Sequence, residues 1–409
     1  MKKAVLKSIS PDKPDDFNLM TRAQADEIDN KIKSAPKSKK KDINQPNLPV
    51  VSPEQFAPIL DWIKNSPPER KWILDDMIPS SKVGVLSAAG GVGKSNLSNL
   101  IAFSITTGRT IGPFKPPKAR RVFILNVEDE AEDMWRRFHF LAKLYDVSSK
   151  DKKLIQKNLF IYPGVGKIGP LMEFEGNNPK PTVYADWLKK SIIASKPDLV
   201  ILDTKSRLYG LSENDNDHNT RWLQLLEQIT TLTKCSFLIV HHVAKSRDEL
   251  SASAGRGGSS LIDNSRFVIS AASLNEQDAK DFELDTPENY FKLRLEKSSY
   301  APKTPIYYFE RLNEGIPKCV ELKAERLERI AELMVKFLAD QDKKFTRREI
   351  IRGAKKELKP LKEKLKDYKA VKNINEVLDF ALKTGSLKEV DSKREGGGRT
   401  RVELEAVCY

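Results

Sequence analysis

The stretch "SAAGGVGKSN", Ser87 to Asn96, constrains this chain more than any other ten residues. It follows the apolar run "KVGVL" and precedes the helix-like run "LSNLIAFSITTG", so it joins a strand to a helix. Gly90, Gly91 and Gly93 are small enough to let successive backbone N–H groups turn inward around an anion. The helix behind them aims its positive N-terminal end at the same point. The residue order is that of G-x-x-x-x-G-K-[ST], with Ala88, also small, in place of the first glycine. In such a loop Ala89, Gly90, Gly91, Val92, Gly93, Lys94, Ser95 and Asn96 surround a triphosphate. Lys94 reaches the β- and γ-phosphates, and Ser95 ligates Mg²⁺. A plain glycine-rich turn would leave the Lys-Ser pair, in register with the glycines, unexplained.

From Lys82 onward, apolar strands alternate with amphipathic helices: "KVGVLSA", "RRVFILNVE", "NLFIYPG", "DLVILD" and "SFLIVHH", with a helical run after each of the first four. Buried strands separated by helices imply an α/β core with a mostly parallel sheet covered on both faces. Three further strand-like runs, "RFVISAAS", "YFKLRLEK" and "PIYYFERL", predict an antiparallel extension of that sheet. Before the core, residues 1–50 are rich in Pro, Lys and Asp and carry too little apolar area to order, so a disordered basic segment is expected. A short helix at "PEQFAPILDWI" leads into a core domain spanning 51–320. After it, residues 321–409 give three helices and two strands joined by the tip "KREGGGRTR", the layout of a winged helix.

Charge and cysteine content narrow the class. The net charge is +14; residues 1–50 hold 11 basic against 7 acidic side chains, and residues 321–409 hold 23 against 17. Excess positive charge on both flanks suits a polyanion partner, or simple solubility. Cys235, Cys319 and Cys408 form no CxxC pair, which suggests neither a disulfide framework nor a zinc site. With no signal-peptide core and no long apolar run, a cytoplasmic protein is expected.

Phosphate chemistry needs a metal holder, a water activator and a group that senses the γ-phosphate. Asp203 ends "LVILD" at the carboxyl edge of the sheet, where it would hold Mg²⁺ together with Ser95, or merely end a strand. Glu128 in "FILNVEDE" emerges at the same edge as the candidate general base. Asp129 and Glu130 compete with it, and either acid also fits a helix N-terminus. His241 and His242 face opposite ways on one strand, so at most one points at the nucleotide. The loop behind them carries Lys245, Arg247 and Arg256 among small residues, a lever for gripping a nucleic-acid backbone or an ordinary solvated loop. Lys393, Arg394, Arg399 and Arg401 are the corresponding DNA-contact candidates of the tail, although many winged helices bind proteins instead.

Across roughly residues 70–312, "AAGGVGKS", "LNVEDEAEDMWRRF", "LVILDTKSRL", "LIVHHVAKS", "GRGGSSLIDNSRF" and "LEKSSYAP" follow one another in the order of the RecA/DnaB-type ATPases. The chain resembles most closely the RepA-like hexameric replicative helicases within the wider AAA_25 family. The resemblance implies a RecA-like P-loop NTPase core that hydrolyses ATP with Mg²⁺. It assigns phosphate and metal binding to Lys94 and Ser95, water activation to Glu128, metal support to Asp203 and γ-phosphate sensing to His242. Arg137, Arg266 and Lys297 match basic residues placed near a nucleotide, some acting across a subunit boundary; each also fits a structural ion pair. The departures are Ala88 and "KSSY", where relatives often have Asn before the Tyr. The implied protein is a homo-hexameric DNA helicase of a plasmid, phage or other mobile element, with single-stranded DNA in its channel. The rivals are an ATP-switched DNA-binding initiator or regulator, and a ring ATPase acting on protein partners.

Overall fold

A computed structural model describes residue 57 and residues 59–407, apart from 177, 213–214, 244–249, 251–258, 283, 368–373 and 393–400. The chain divides into two units, Met1–Pro68 and Glu69–Tyr409. In the first, helix α1 (Ile59–Lys64) leaves Ile59, Trp62 and Ile63 exposed. The segment 1–50 lies outside the described residues.

The second unit begins with a separate two-stranded hairpin, β1 (Trp72–Leu74) and β2 (Ile78–Pro79). Strand β3 (Val83–Ala89) then feeds the glycine loop, and α2 (Lys94–Thr107) follows it. Leu97, Leu100, Ile101, Phe103 and Ile105 of α2 are all buried, so this helix is apolar around most of its circumference, as befits one enclosed by its neighbours. Its buried hydroxyls are satisfied locally: Ser98 donates to the Ser95 carbonyl at 2.9 Å and Thr107 to the Phe103 carbonyl at 2.7 Å. Each buried Leu, Ile or Phe contributes on the order of 1.5–3 kcal/mol.

The chain continues through β4 (Val122–Asn126), α3 (Ala131–Leu144), α4 (Ser149–Asn158) and β5 (Leu159–Pro163). A small hairpin, β6 (Met172–Glu175) and β7 (Asn178–Pro181), precedes α5 (Val183–Ser195). Next come β8 (Leu199–Asp203), α6 (Lys205–Tyr209), α7 (Asn216–Thr233) and β9 (Ser236–Val243). After α8 (Ser259–Asn264), the sheet is extended by β10 (Phe267–Ser273), β11 (Tyr290–Ser298), β12 (Tyr307–Arg311) and β13 (Pro317–Val320), with α9 (Glu276–Phe282) between β10 and β11.

These strands form one nine-stranded sheet in the order β13-β12-β11-β10-β3-β9-β8-β4-β5. Strands β10, β3, β9, β8, β4 and β5 run parallel, and β11, β12 and β13 add antiparallel. The mixed α/β architecture with its large, mostly parallel sheet fits the RecA-like P-loop core implied by the resemblance. The expectation for "RFVISAAS" is corrected in one respect: β10 joins the parallel set beside β3, and the antiparallel part begins at β11. Alternation along each strand divides two cores. Leu86, Ile124, Ile201 and Val240 face α2, whereas Val85, Leu125, Leu202 and Ile239 face α5 and α7.

The remainder has its own core, built from Ile330, Met334, Phe345, Ile350, Leu361, Val377, Leu378, Leu387 and Leu404. It comprises α10 (Leu322–Ala339), α11 (Arg347–Arg352), α12 (Lys359–Asp367), α13 (Ile374–Lys383) and the antiparallel pair β14 (Leu387–Ser392) and β15 (Arg401–Ala406). Helix α12 was not anticipated, because Pro360 and dense lysines obscure its apolar positions Leu361 and Leu365. Lys393, Arg394 and Arg399 lie outside the described residues, and Arg401 is described only as backbone in β15. Among the described residues no helix is long and apolar enough to cross a membrane.

Candidate nucleotide site

Parity along the strands decides which side chains meet. Asn126 shares the face of Ile124, Asp203 that of Ile201, and His242 that of Val240, so all three lie on the α2 side of the sheet. In register, Ala88 sits opposite His242 and Asn126 opposite Asp203. His241 falls on the opposite parity, facing away from that side.

The loop itself uses left-handed backbone at Gly91 (φ 85°) and Gly93 (φ 93°), conformations that a side chain would strain. Lys94 is nearly buried and its Nζ donates to the Ala89 carbonyl at 2.9 Å. Burial pushes its pKa down to about 8, against the opposing pull of Asp203 and Glu128. A desolvated ammonium of this kind gains when an anion arrives.

Asp203 is 1% exposed. Its Oδ2 accepts from the Asn126 amide at 3.4 Å, and its Oδ1 has no partner among the described residues. Burial lifts its pKa to about 6; a hydrogen bond from Ser95 opposes this, and Glu128 and Asp129 add to it. A buried, acceptor-only oxygen beside a serine hydroxyl is the donor set that a hard divalent cation takes. Ser95 and Asp203 therefore fit Mg²⁺, which when bound would offset negative charge on the phosphates.

The strand β4 delivers the general-base candidate through an Asn-centred turn. The Asn126 side-chain carbonyl accepts from the backbone N–H groups of Glu128 (3.0 Å) and Asp129 (2.7 Å), and its amide donates to Asp129 Oδ2 at 3.0 Å. Such Asx turns reverse the chain where a strand ends. Glu128 emerges part-exposed, with His242 Nε2 3.8 Å from Oε2 and Arg207 Nε 3.8 Å from Oε1. Of its two acidic rivals, Asp129 is held by Arg137 in a bidentate pair of 2.5 and 2.9 Å, and Glu130 is the residue at which α3 begins. Glu128 is thus the carboxylate that faces the two basic groups.

The remaining candidates separate. Arg137 is committed to Asp129 of its own chain. Lys297 donates its Nζ to the carbonyls of Ile262 (3.0 Å) and Asp263 at the end of α8, and burial lowers its pKa. Arg266 is exposed and reaches its surroundings by a backbone bond to Val83. Asn96 donates to the Glu314 carbonyl at 2.8 Å. Lys245, Arg247 and Arg256 lie outside the described residues. Sequence reasoning missed Asn126, Arg207 and Arg311. The first had a signal in the Asn that ends β4 before three acids, and Arg207 had one in its place just behind Asp203. Arg311 had none.

His241 packs on the other side, and burial, followed by the charges of Lys205, His242 and Lys94, drives its pKa down to about 3. It is therefore neutral near physiological pH. Lys205, 1% exposed, has its ammonium 3.8 Å from the Tyr209 ring centroid. A buried cation over an aromatic face recovers part of its lost hydration.

Among protein families, residues 51–248 match the model described as AAA domain, AAA_25. That span ends before α8, so β10 to β13 and everything beyond lie outside it. A phosphate-type loop with a buried carboxylate beside it, seated at the carboxyl edge of this sheet, agrees with the match. The match supports an AAA-type P-loop ATPase domain over that span, and with it nucleotide hydrolysis and the use of ATP with Mg²⁺.

Proposed function

We propose that the protein is an ATP-driven motor on DNA: a ring helicase of a mobile element, with sites shared between neighbouring subunits and single-stranded DNA as its track. The observation that carries this reading is the place of His242. Its ring lies 3.8 Å from the Glu128 carboxylate, and its strand runs directly into the residues 244–258 that hold Lys245, Arg247 and Arg256. A change at the γ-phosphate that moves Glu128 is passed along β9 to a segment rich in DNA-contact chemistry.

The residues act as follows. Lys94 and the loop amides hold the β- and γ-phosphates, and Ser95 and Asp203 hold Mg²⁺. Glu128 orients and deprotonates the attacking water, while Arg207 and His242 keep its carboxylate in place. Arg266, exposed and with no side-chain hydrogen bond or ion pair among the described residues, is the best candidate for a residue that completes a neighbour's site. The separate core of residues 322–407, with helices followed by the β14–β15 pair, supports a winged-helix reading of the tail and a second DNA contact there. That same feature favours the alternative of an ATP-switched initiator or regulator that binds a duplex site without translocating.

Hydrolysis measured with and without single-stranded DNA, beside a Lys94→Ala control, decides between them. Marked stimulation that vanishes in the control supports the motor. Hydrolysis indifferent to DNA overturns it.

A further inference from the structure

Arg311, at the end of β12, lies 220 residues from the glycine loop in sequence yet donates Nη1 to the Gly91 carbonyl at 2.5 Å. Its Nη2 donates to the carbonyls of Glu288 (2.5 Å) and Tyr290 (3.2 Å). The stem passes the loop closely enough that a Cβ on Gly93 would meet Arg311 Cδ at 3.9 Å. The turn behind it makes a second attachment. Asn96 donates to the Glu314 carbonyl at 2.8 Å, and a Cβ on Gly315 would come within 3.0 Å of the Asn96 amide.

We infer that Arg311 is a positioning residue for the phosphate loop, and that residues 312–316 behind it fasten the first turn of α2 to the antiparallel part of the sheet. In a trans peptide the carbonyl of one residue and the N–H of the next point in opposite directions. A Gly91 carbonyl held on the guanidinium therefore turns the Val92 N–H away from Arg311. Gly91 and Gly93, which have no side chain to fix their dihedrals, would otherwise sample several loop shapes. Bare amides crowded in a concave loop repel one another until an anion arrives, so a free loop would relax outward. Arg311 opposes that relaxation in advance, and the entropy of ordering the loop no longer falls on nucleotide binding. Three of its five N–H donors are engaged by carbonyls of its own chain, so in this inference it acts through the loop and not as a phosphate ligand. Lysine cannot replace it, since one ammonium on a flexible stem does not span the fork between Gly91 and Glu288.

The inference rests on nucleotide binding at this loop and not on translocation, so it is tested without DNA. Mg²⁺ and ADP are titrated calorimetrically into the full-length wild type, Arg311→Lys and Arg311→Gln, and kcat is measured at saturating ATP. Loss of a charge-assisted hydrogen bond corresponds to roughly a tenfold weaker Kd. The expected result is that loss in both variants, with kcat within about threefold of wild type and faster amide exchange confined to residues 90–93. Arg311→Lys keeps the charge and most of the stem, and it carries the test should Arg311→Gln fail to fold. Wild-type affinity in the Lys variant overturns the inference, because charge alone then suffices. So does a loss that falls on kcat with Kd unchanged. A wild type that binds no ADP would instead overturn the nucleotide site itself.

Discussion

His242 Nε2 stands 3.8 Å from Glu128 Oε2, although His242 lies in β9 and Glu128 in the turn after β4, strands that are not neighbours in the sheet. Strand β8, which ends in Asp203, lies between β9 and β4. The contact therefore reaches across the end of the strand that carries Asp203, and in the proposed mechanism a movement of Glu128 toward a water loosens it from His242. Arg207 holds the other carboxylate oxygen at 3.8 Å.

Glu128→Gln removes the proposed base and leaves the loop intact. Hydrolysis is expected to fall by about 10²–10⁴-fold, with the Kd for ATP in the presence of Mg²⁺ changed only a few-fold. Single-turnover hydrolysis and an equilibrium titration check this. Retention of a tenth of the wild-type rate would move the base to another residue.

Asp203→Asn separates function from stability. The pKa of Asp203 rises from 3.8 to about 6 on folding, so the folded state holds this proton more tightly than the unfolded state. That contribution is fully present below the unfolded value and is lost as pH rises through the folded one. Near neutral pH the nucleotide-free protein carries the whole cost of the buried charge. The Asn variant is expected to be more stable without ligand, by up to about 2–3 kcal/mol, while losing Mg²⁺-dependent hydrolysis. Thermal unfolding without nucleotide is the readout, and a lower melting temperature contradicts the argument.

His241 predicts an acid-side slope. Its pKa falls from 6.5 to about 3 on folding, so between these values the unfolded chain binds a proton that the folded chain refuses. Stability is intact above the unfolded value and declines as pH falls toward the folded one, at no more than about 1.4 kcal/mol per pH unit for this group. His241→Asn should flatten the dependence, measured by urea unfolding at several values between about pH 7 and 5. An unchanged slope assigns the acid sensitivity elsewhere.

The basic residues near the site should fall into two kinds. Lys297→Met loses the attachment of β11 to the end of α8 and is expected to cost about 1 kcal/mol of stability. Arg266→Ala should leave stability within about 0.5 kcal/mol, as surface changes do. If Arg266 completes a neighbour's site, mixing inactive Arg266→Ala and Lys94→Ala proteins restores hydrolysis above the sum of the two alone. No recovery on mixing removes Arg266 from that role.

The sequence by itself determined the phosphate loop, the alternation that makes a parallel sheet and the place of Asp203 at the end of an apolar strand. It also put a polar pair at the end of β9. Each is written in neighbouring residues, through glycine spacing, a period of two along strands or a charged residue closing an apolar run. Tertiary structure decided what those patterns leave open. The packing of α2 against one face of the sheet put His242 on the side of Asp203 and Glu128, and His241 on the other. The turn held by Asn126 separated Glu128 from Asp129, which Arg137 holds. The register of the antiparallel strands brought Arg311 to Gly91. Such contacts join residues up to 220 positions apart. No local propensity encodes them, because they exist only after the sheet has closed and its side chains have packed.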